Sequence, residues 1–168
     1  MVTGLFSDRA SAERAYESLH ARGYGRDDIN LVMSDDTRKK QFGTTQGAQT
    51  ELGTKAAEGA GVGGAIGGTV GAILAAIVAV GTTIAIPGLG IVIAGPLAAG
   101  IAGAGAGAAA GGLIGALVGW GIPEEHVKRY EAGIKNGGIL MGVRSRSDDD
   151  AKYFAEDWKK NRAADVYV

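Results

Sequence analysis

Gly59-Ala60-Gly61-Val62-Gly63-Gly64-Ala65-Ile66-Gly67-Gly68-Thr69-Val70-Gly71 opens a run of 65 residues, between Glu58 and Glu124, that holds no charged side chain. Its glycines recur every four residues, at Gly59, Gly63, Gly67 and Gly71, and the spacing returns at Gly103, Gly107, Gly111, Gly115 and Gly119. On a helix each series lies along one narrow stripe. Each glycine in a water-exposed helix costs roughly 1 kcal/mol relative to alanine, so the seven between residues 59 and 71 would leave such a helix very poor alone. Close approach of another backbone compensates, because a stripe without side chains lets two helices gain dispersion contacts along their length. A flexible Gly/Ala spacer is the plainer alternative. Val62, Ile66, Val70, Ile73, Leu74, Ile77, Val78 and Val80 make the stretch too apolar for it.

Inside this run Pro87-Gly88-Leu89-Gly90 interrupts any helix and Gly95-Pro96 marks a second bend. The pattern predicts a helical hairpin with Pro87, Gly88, Gly90, Gly95 and Pro96 in its turn. Each helix would be about 23 residues, roughly 34 Å, enough to cross a hydrocarbon core of about 30 Å. Arg38, Lys39, Lys40 and Lys55 precede the first helix and Lys128, Arg129 and Lys135 follow the second, which places both flanks on the cytoplasmic side of any membrane. The second helix has few large apolar residues, and the turn from Ile84 to Ile93 is itself apolar, odd for a loop left in water. Such a turn is re-entrant in lipid or buried between subunits.

Working outward, both flanks read as strand, helix, strand. Val2–Phe6 is an apolar strand; Ser7 and Asp8 cap a helix with Ala12, Ala15, Tyr16 and Leu19 on one face; Gly23 ends it; Ile29–Met33 is the next strand. After the hairpin, Pro123-Glu124-Glu125 starts a helix with Val127, Tyr130 and Ile134 inward. Ile139–Val143 is a strand, Ser147 and Asp150 resemble a capping box, Ala151, Phe154, Ala155 and Trp158 form a buried helix face, and Val166–Val168 closes as a strand. The expected fold class is α+β: a ferredoxin-like split βαβ domain with an inserted Gly/Ala-rich apolar helical hairpin. Residues 1–36 and 122–168 supply its two halves, 37–58 a polar linker, and 59–121 the hairpin. Excising 45–121 is expected to leave a small folded domain.

Nearly all of the 35 charged residues lie in these flanks and the net charge is −1, so a nucleic-acid-binding surface is not expected. With no cysteine there is no disulfide, thiolate nucleophile or cysteine metal site. Met1–Arg9 offers no signal-peptide core, so secretion by that route is not expected.

Three internal runs carry a family likeness: Thr54-Lys55-Ala56-Ala57-Glu58-Gly59; Ala85-Ile86-Pro87-Gly88-Leu89-Gly90; and Gly121-Ile122-Pro123-Glu124-Glu125 leading to Tyr130-Glu131 and Gly137-Gly138-Ile139-Leu140. With Gly4-Leu5-Phe6-Ser7, Gly23-Tyr24 and Asp28-Ile29 they resemble the bacterial general stress protein family of the heat-induced YflT type over nearly the whole chain. The resemblance implies a bacterial protein facing the cytoplasm, linked with stress induction, with a Gly-rich centre and no assigned catalytic activity.

Chemistry-bearing patterns are sparse. Gly59-Ala60-Gly61-Val62-Gly63-Gly64 matches G-x-G-x-x-G, but no strand leads into it and no acidic residue follows about twenty positions on, so no cofactor is expected. His20 and His126 lack paired ligand spacing and read as solvated, and Asp148-Asp149-Asp150 reads as helix-start chemistry, so no metal and no catalytic residue is assigned. Trp120 fits a membrane-interface anchor and a cover for the sheet equally. The expected function is a non-enzymatic stress-associated protein whose hairpin mediates membrane association and homo-oligomerisation, at the bacterial inner membrane with the sheet domain in the cytoplasm. Its partners are further copies of itself and membrane lipid. The alternatives are a soluble cytoplasmic homo-oligomer with the hairpins as its apolar core, and a small-ligand sensor or enzyme.

Overall fold

A computed structural model describes residues 1–42, 83–86, 90–99, 114–115 and 117–168, with α and β elements arranged around an antiparallel sheet. Strands β1 (Val2–Phe6), β2 (Ile29–Ser34), β3 (Thr83–Ile86), β4 (Ile91–Ala94), β5 (Ile139–Val143) and β6 (Ala164–Tyr167) lie in the order β3-β4-β2-β5-β1-β6. Every neighbouring pair is antiparallel.

Side chains alternate across the sheet, and each face finds its own cover. Val2 and Phe6 of β1, Ile29, Leu31 and Met33 of β2, and Ile139, Met141 and Val143 of β5 pack beneath helices α1 (Arg9–Ala21) and α4 (Asp148–Lys160). Both helices begin as their sequences predict. The Asp8 carboxylate accepts from the Ser11 N–H at 2.8 Å, and the Ser147 hydroxyl accepts from the Asp150 N–H at 3.1 Å. Gly4 leaves the strand bare under the Trp158 indole: a Cβ there would lie 2.9 Å from a ring carbon.

Thr3, Leu5, Val32 and Leu140 belong to the opposite face. Helix α3 (Glu124–Lys135) covers it with Val127, Tyr130 and Ile134, joined by Ile91, Ile93, Leu97, Ala98, Leu117 and Ile122. Trp120 is packed against the same cluster, and a Cβ on Gly142 would lie 3.3 Å from its ring. The indole therefore covers the sheet.

Three stretches differ from the sequence expectation. Where a polar linker is predicted from residue 37, helix α2 spans Asp35–Phe42. Ser34 accepts from the Thr37 N–H at 3.1 Å, and Asp35 pairs with Arg38 at 2.8 Å and with Lys39 at 2.6 Å, so local caps and i,i+3 and i,i+4 pairs hold a helix with almost no apolar face. Where an apolar turn is predicted, Thr83–Ile86 and Ile91–Ala94 form β3 and β4, and β4 buries all four of its residues beside β2, with Leu31 opposite Ala94 and Met33 opposite Val92. Alternating β-branched residues favour a strand, and the Pro-Gly-Leu-Gly tetrapeptide separates two strands instead of two helices. The last strand starts two residues earlier than predicted and pairs at Thr3↔Tyr167 and Leu5↔Ala164 around an irregularity where Asp165 has φ +49°.

Candidate functional site

The glycine stripes are the principal feature predicted to act. Gly59, Gly63, Gly67, Gly71, Gly103, Gly107 and Gly111 lie outside the described residues, as do Pro87 and Gly88 of the predicted turn. Gly115 and Gly119 are described, within helical residues, and both are exposed. A Cβ at either position would meet no described atom within 4 Å. Leu117, between them, is fully buried against α3 and the sheet, whereas Val118 is 45% exposed. The helix thus turns Leu117 inward and presents Gly115, Val118 and Gly119 outward. Among the described residues nothing in the packing of the sheet domain requires glycine at 115 or 119.

Gly90, Gly95 and Pro96 fall at the ends of β4 and have other tasks. The Gly90 carbonyl accepts from the Asp35 N–H at 2.7 Å, tying β4 to the start of α2. Gly95 adopts φ +103°, and a Cβ there would collide with the Ile29 carbonyl oxygen, so only glycine lets the chain bend this close to β2. The bend delivers the Leu97 N–H to the buried Asn30 side chain, which accepts it at 2.7 Å and caps the short helical turn at 96–99 that Pro96 opens.

Two polar clusters stitch the flanks together, and the sequence pattern foreshadows neither. Tyr24 donates to the Asp150 carboxylate at 2.7 Å and accepts from the Arg146 N–H at 2.7 Å, while Arg22 reaches Asp150 at 2.5 Å and Arg146 reaches Asp28 at 2.8 Å. The Tyr24 hydroxyl, with Arg22, holds the Asp150 carboxyl below its ordinary pKa. On the other face Tyr130 is buried; its hydroxyl lies 2.9 Å from the Thr3 hydroxyl and donates to the Asp165 carbonyl at 2.5 Å. Burial pushes the Tyr130 phenol up to about 12. His20 is exposed as expected, but His126 is not: its side chain is only 20% accessible, and its Nδ1 lies 3.9 Å from Asp165 without a hydrogen-bond partner among the described residues. Its ring stands against Tyr167 with centroids 5.0 Å apart, so α3 half-buries a histidine that charged sequence neighbours make look solvated.

Among the described residues no group of three or more His, Asp or Glu side chains could hold a metal ion, and no helix is long and apolar enough to cross a membrane. The Asp148–Asp150 run is spent on the start of α4 and on the Arg22–Tyr24 contact. Comparison with protein-family models, with curated proteins and with solved structures finds no match for the chain.

Proposed function

We propose that the protein is a non-enzymatic self-associating protein of bacteria, of the general stress protein type its sequence resembles, in which ferredoxin-like domains surround glycine-striped helices that pack between copies. The strand order β2-β5-β1-β6, with α1 and α4 as crossovers, supports the ferredoxin-like description, β3 and β4 being added beyond β2. The observation that carries the self-association is the outward, open setting of Gly115 and Gly119 beside exposed Val118. Glycines that cost helix stability and serve no contact with the described residues of their own domain are explained by a helix of a second copy packed along them.

The burial of β4 next to β2 bears on the role of lipid. In a hairpin that spans a bilayer once with each helix, residues 84–93 would lie across the membrane from both flanks, yet Phe42, Ile91, Leu97 and Leu117 all pack in the sheet domain's two clusters. This favours hairpins gathered as the apolar core of a water-borne assembly, or dipping into one leaflet, over a two-span anchor. The charge-free length of the central run supports the lipid-associated form.

The test is the double variant Gly115→Leu with Gly119→Leu. No described atom stands within 4 Å of a Cβ at either position, so circular dichroism and melting should match the parent while sedimentation in buffer and in mild detergent shows smaller particles. A variant that assembles like the parent, or a parent monomeric in both media, refutes self-association through this stripe. Partition of the parent with or without detergent separates the two forms.

A further inference from the structure

Between β1, the end of α3 and the start of β6 lies a half-open cavity of about 210 Å3. The Leu5 and Ala164 side chains give it apolar walls beside Gly133, Gly138 and the Phe6 backbone, and Ser7, Asn136 and Arg162 supply its polar side chains. Among the described residues no carboxylate lines it, and Arg162 is the one charged side chain on its wall. Leu5 is only partly buried in an otherwise buried strand because its side chain borders this space.

Two residue choices around the cavity are locally unfavourable, and for each a better-suited residue exists. Gly133 lies inside α3, where alanine would be about 1 kcal/mol more favourable. A Cβ at 133 would strike the Leu5 side chain and drive it toward the cavity it borders. Arg162 follows the end of α4 with φ +65°; its N–H donates to the Lys159 carbonyl at 3.1 Å and the Ala163 N–H to the Trp158 carbonyl at 2.9 Å. That pair of bonds defines a helix ending whose left-handed position ordinarily takes glycine, and a larger residue there costs on the order of 1 kcal/mol. The Arg162 guanidinium has no ion-pair partner among the described residues, since the nearby Asp165 is already held by Arg129 at 2.5 Å. One costly choice keeps the space open and the other sets a cation at its edge. Gly133 also admits the Leu5 side chain against α3, whereas the left-handed Arg162 brings no structural gain visible among the described residues, and a local rule broken in that way is expected where a site is kept for a ligand.

We propose that this cavity binds a small monocarboxylate with a compact apolar body, the body lying against Leu5 and Ala164 and the carboxylate on the Arg162 guanidinium. A cavity of about 150 Å3 holds a benzene ring, so 210 Å3 suits a ring of that size with its carboxylate at the mouth. The planar guanidinium matches a carboxylate through two parallel N–H bonds. Helices α3 and α4 both end beside the cavity, but the carbonyls of Gly133, Ile134, Trp158 and Lys159 already accept backbone N–H groups, which leaves Arg162 as the dominant charge. This assignment does not depend on self-association.

Equilibrium dialysis of the full chain against benzoate, with benzamide as the uncharged control, tests it. Benzoate should bind saturably at one per chain, with benzamide about tenfold weaker. Arg162→Gly should weaken benzoate to the benzamide level while melting no lower than the parent, because glycine relieves the left-handed backbone. Gly133→Ala, which alters no charge, should weaken both compounds by pushing Leu5 into the cavity. Absence of saturable benzoate binding below about 10 mM overturns the site. Equal affinity for benzamide, or for benzoate in folded Arg162→Gly, overturns the role of the charge, and unchanged binding by Gly133→Ala overturns the cavity as the place of the ring.

Discussion

The two faces of the sheet are built from different parts of the chain. Beneath α1 and α4 the flanks supply nearly all of the core, joined by Ala94 of β4, with Trp158, Tyr16, Phe6 and Phe154 fully buried and both helices capped by side chains. On the other face α3 starts at Pro123 without a side-chain cap, and the cover is completed by Ile91, Ile93, Leu97, Ala98, Leu117 and Trp120, all taken from the charge-free run. The apolar insertion is therefore more than an appendage. Part of it is core, and Leu117 of that core lies between the exposed Gly115 and Gly119.

The sharpest way to break this comparison is to remove what the second face borrows. Excising residues 45–121 with a short Gly/Ser join strips β3, β4, Leu97, Leu117 and Trp120 from the domain. Burial of each large apolar side chain is worth about 1.5–3 kcal/mol, so the sum rivals the roughly 5–15 kcal/mol that holds a domain together. The excised chain should be unfolded or molten by near-UV circular dichroism, contrary to the expectation from sequence. A cooperative, native-like melt would show that the first face suffices alone.

Next in size are single truncations, one per face. Trp158→Ala should cost about 3–5 kcal/mol and Leu117→Ala about 2–5 kcal/mol, measured by denaturant unfolding. If both faces belong to one cooperative unit, each variant loses near- and far-UV signals in one transition. A Leu117→Ala variant that unfolds in two steps would mean that the insertion docks on a domain already complete.

How far the sequence disclosed all this follows the same division. On the first face the short apolar runs Ile29–Met33 and Ile139–Val143, the caps at Asp8 and Ser147, and the helical spacing of Phe154 and Trp158 are local signals, and each appears where expected. On the second face the determining contacts are distant: Asn30 with Leu97, Gly95 against Ile29, Trp120 over Gly142. The β3–β4 pair was hidden because an apolar run between glycine-rich stretches reads equally as hairpin turn or buried strand, and only its partner β2 decides. Helix α2 was missed because its support is ionic and local while its apolar face is nearly absent. Of the candidate interface, Gly115 and Gly119 carry the legible part; the left-handed Arg162 and the cavity at Leu5 have no sequence signature, since backbone sign and empty space are not written in residue spacing.

A smaller effect distinguishes how the faces answer alkali. Tyr130 is raised to about 12 by burial, above an ordinary phenol near 10. Its folded state holds the proton more tightly than the unfolded state, so its contribution is fully present below about pH 10 and is lost as pH rises toward 12. Tyr130→Phe should cost about 0.5–1.5 kcal/mol at pH 7, through the lost bonds to Thr3 and the Asp165 carbonyl. Between pH 10 and 12 the variant should lose stability less steeply than the parent. Parallel curves would show that other groups carry the alkaline transition, with Tyr16 and Tyr24, both also raised by burial, the first to examine.

The smallest effect lies at the acid end and on the first face. Asp8 caps α1 through the Ser11 N–H, and this bond, with help from the Ser11 and Ser7 hydroxyls, lowers its pKa against a modest opposing effect of burial. A lowered carboxyl stabilises the fold above its unfolded pKa, near 3.9, and that contribution fades as pH falls through the folded value. Asp8→Ala should cost about 1 kcal/mol at neutral pH and progressively less below pH 4, where the parent's own cap is being protonated. Asp8→Asn preserves an oxygen acceptor without the charge, so it should keep most of the neutral-pH stability and flatten the acid slope. Because α3 has no side-chain cap to lose, this capping increment belongs to the first face, and the difference between parent and variant urea midpoints at pH 7 and pH 3 measures it. An Asp8→Ala penalty that stays the same at both pH values would mean that packing of the Asp8 side chain, and not its charge-assisted bond to Ser11, holds the start of α1.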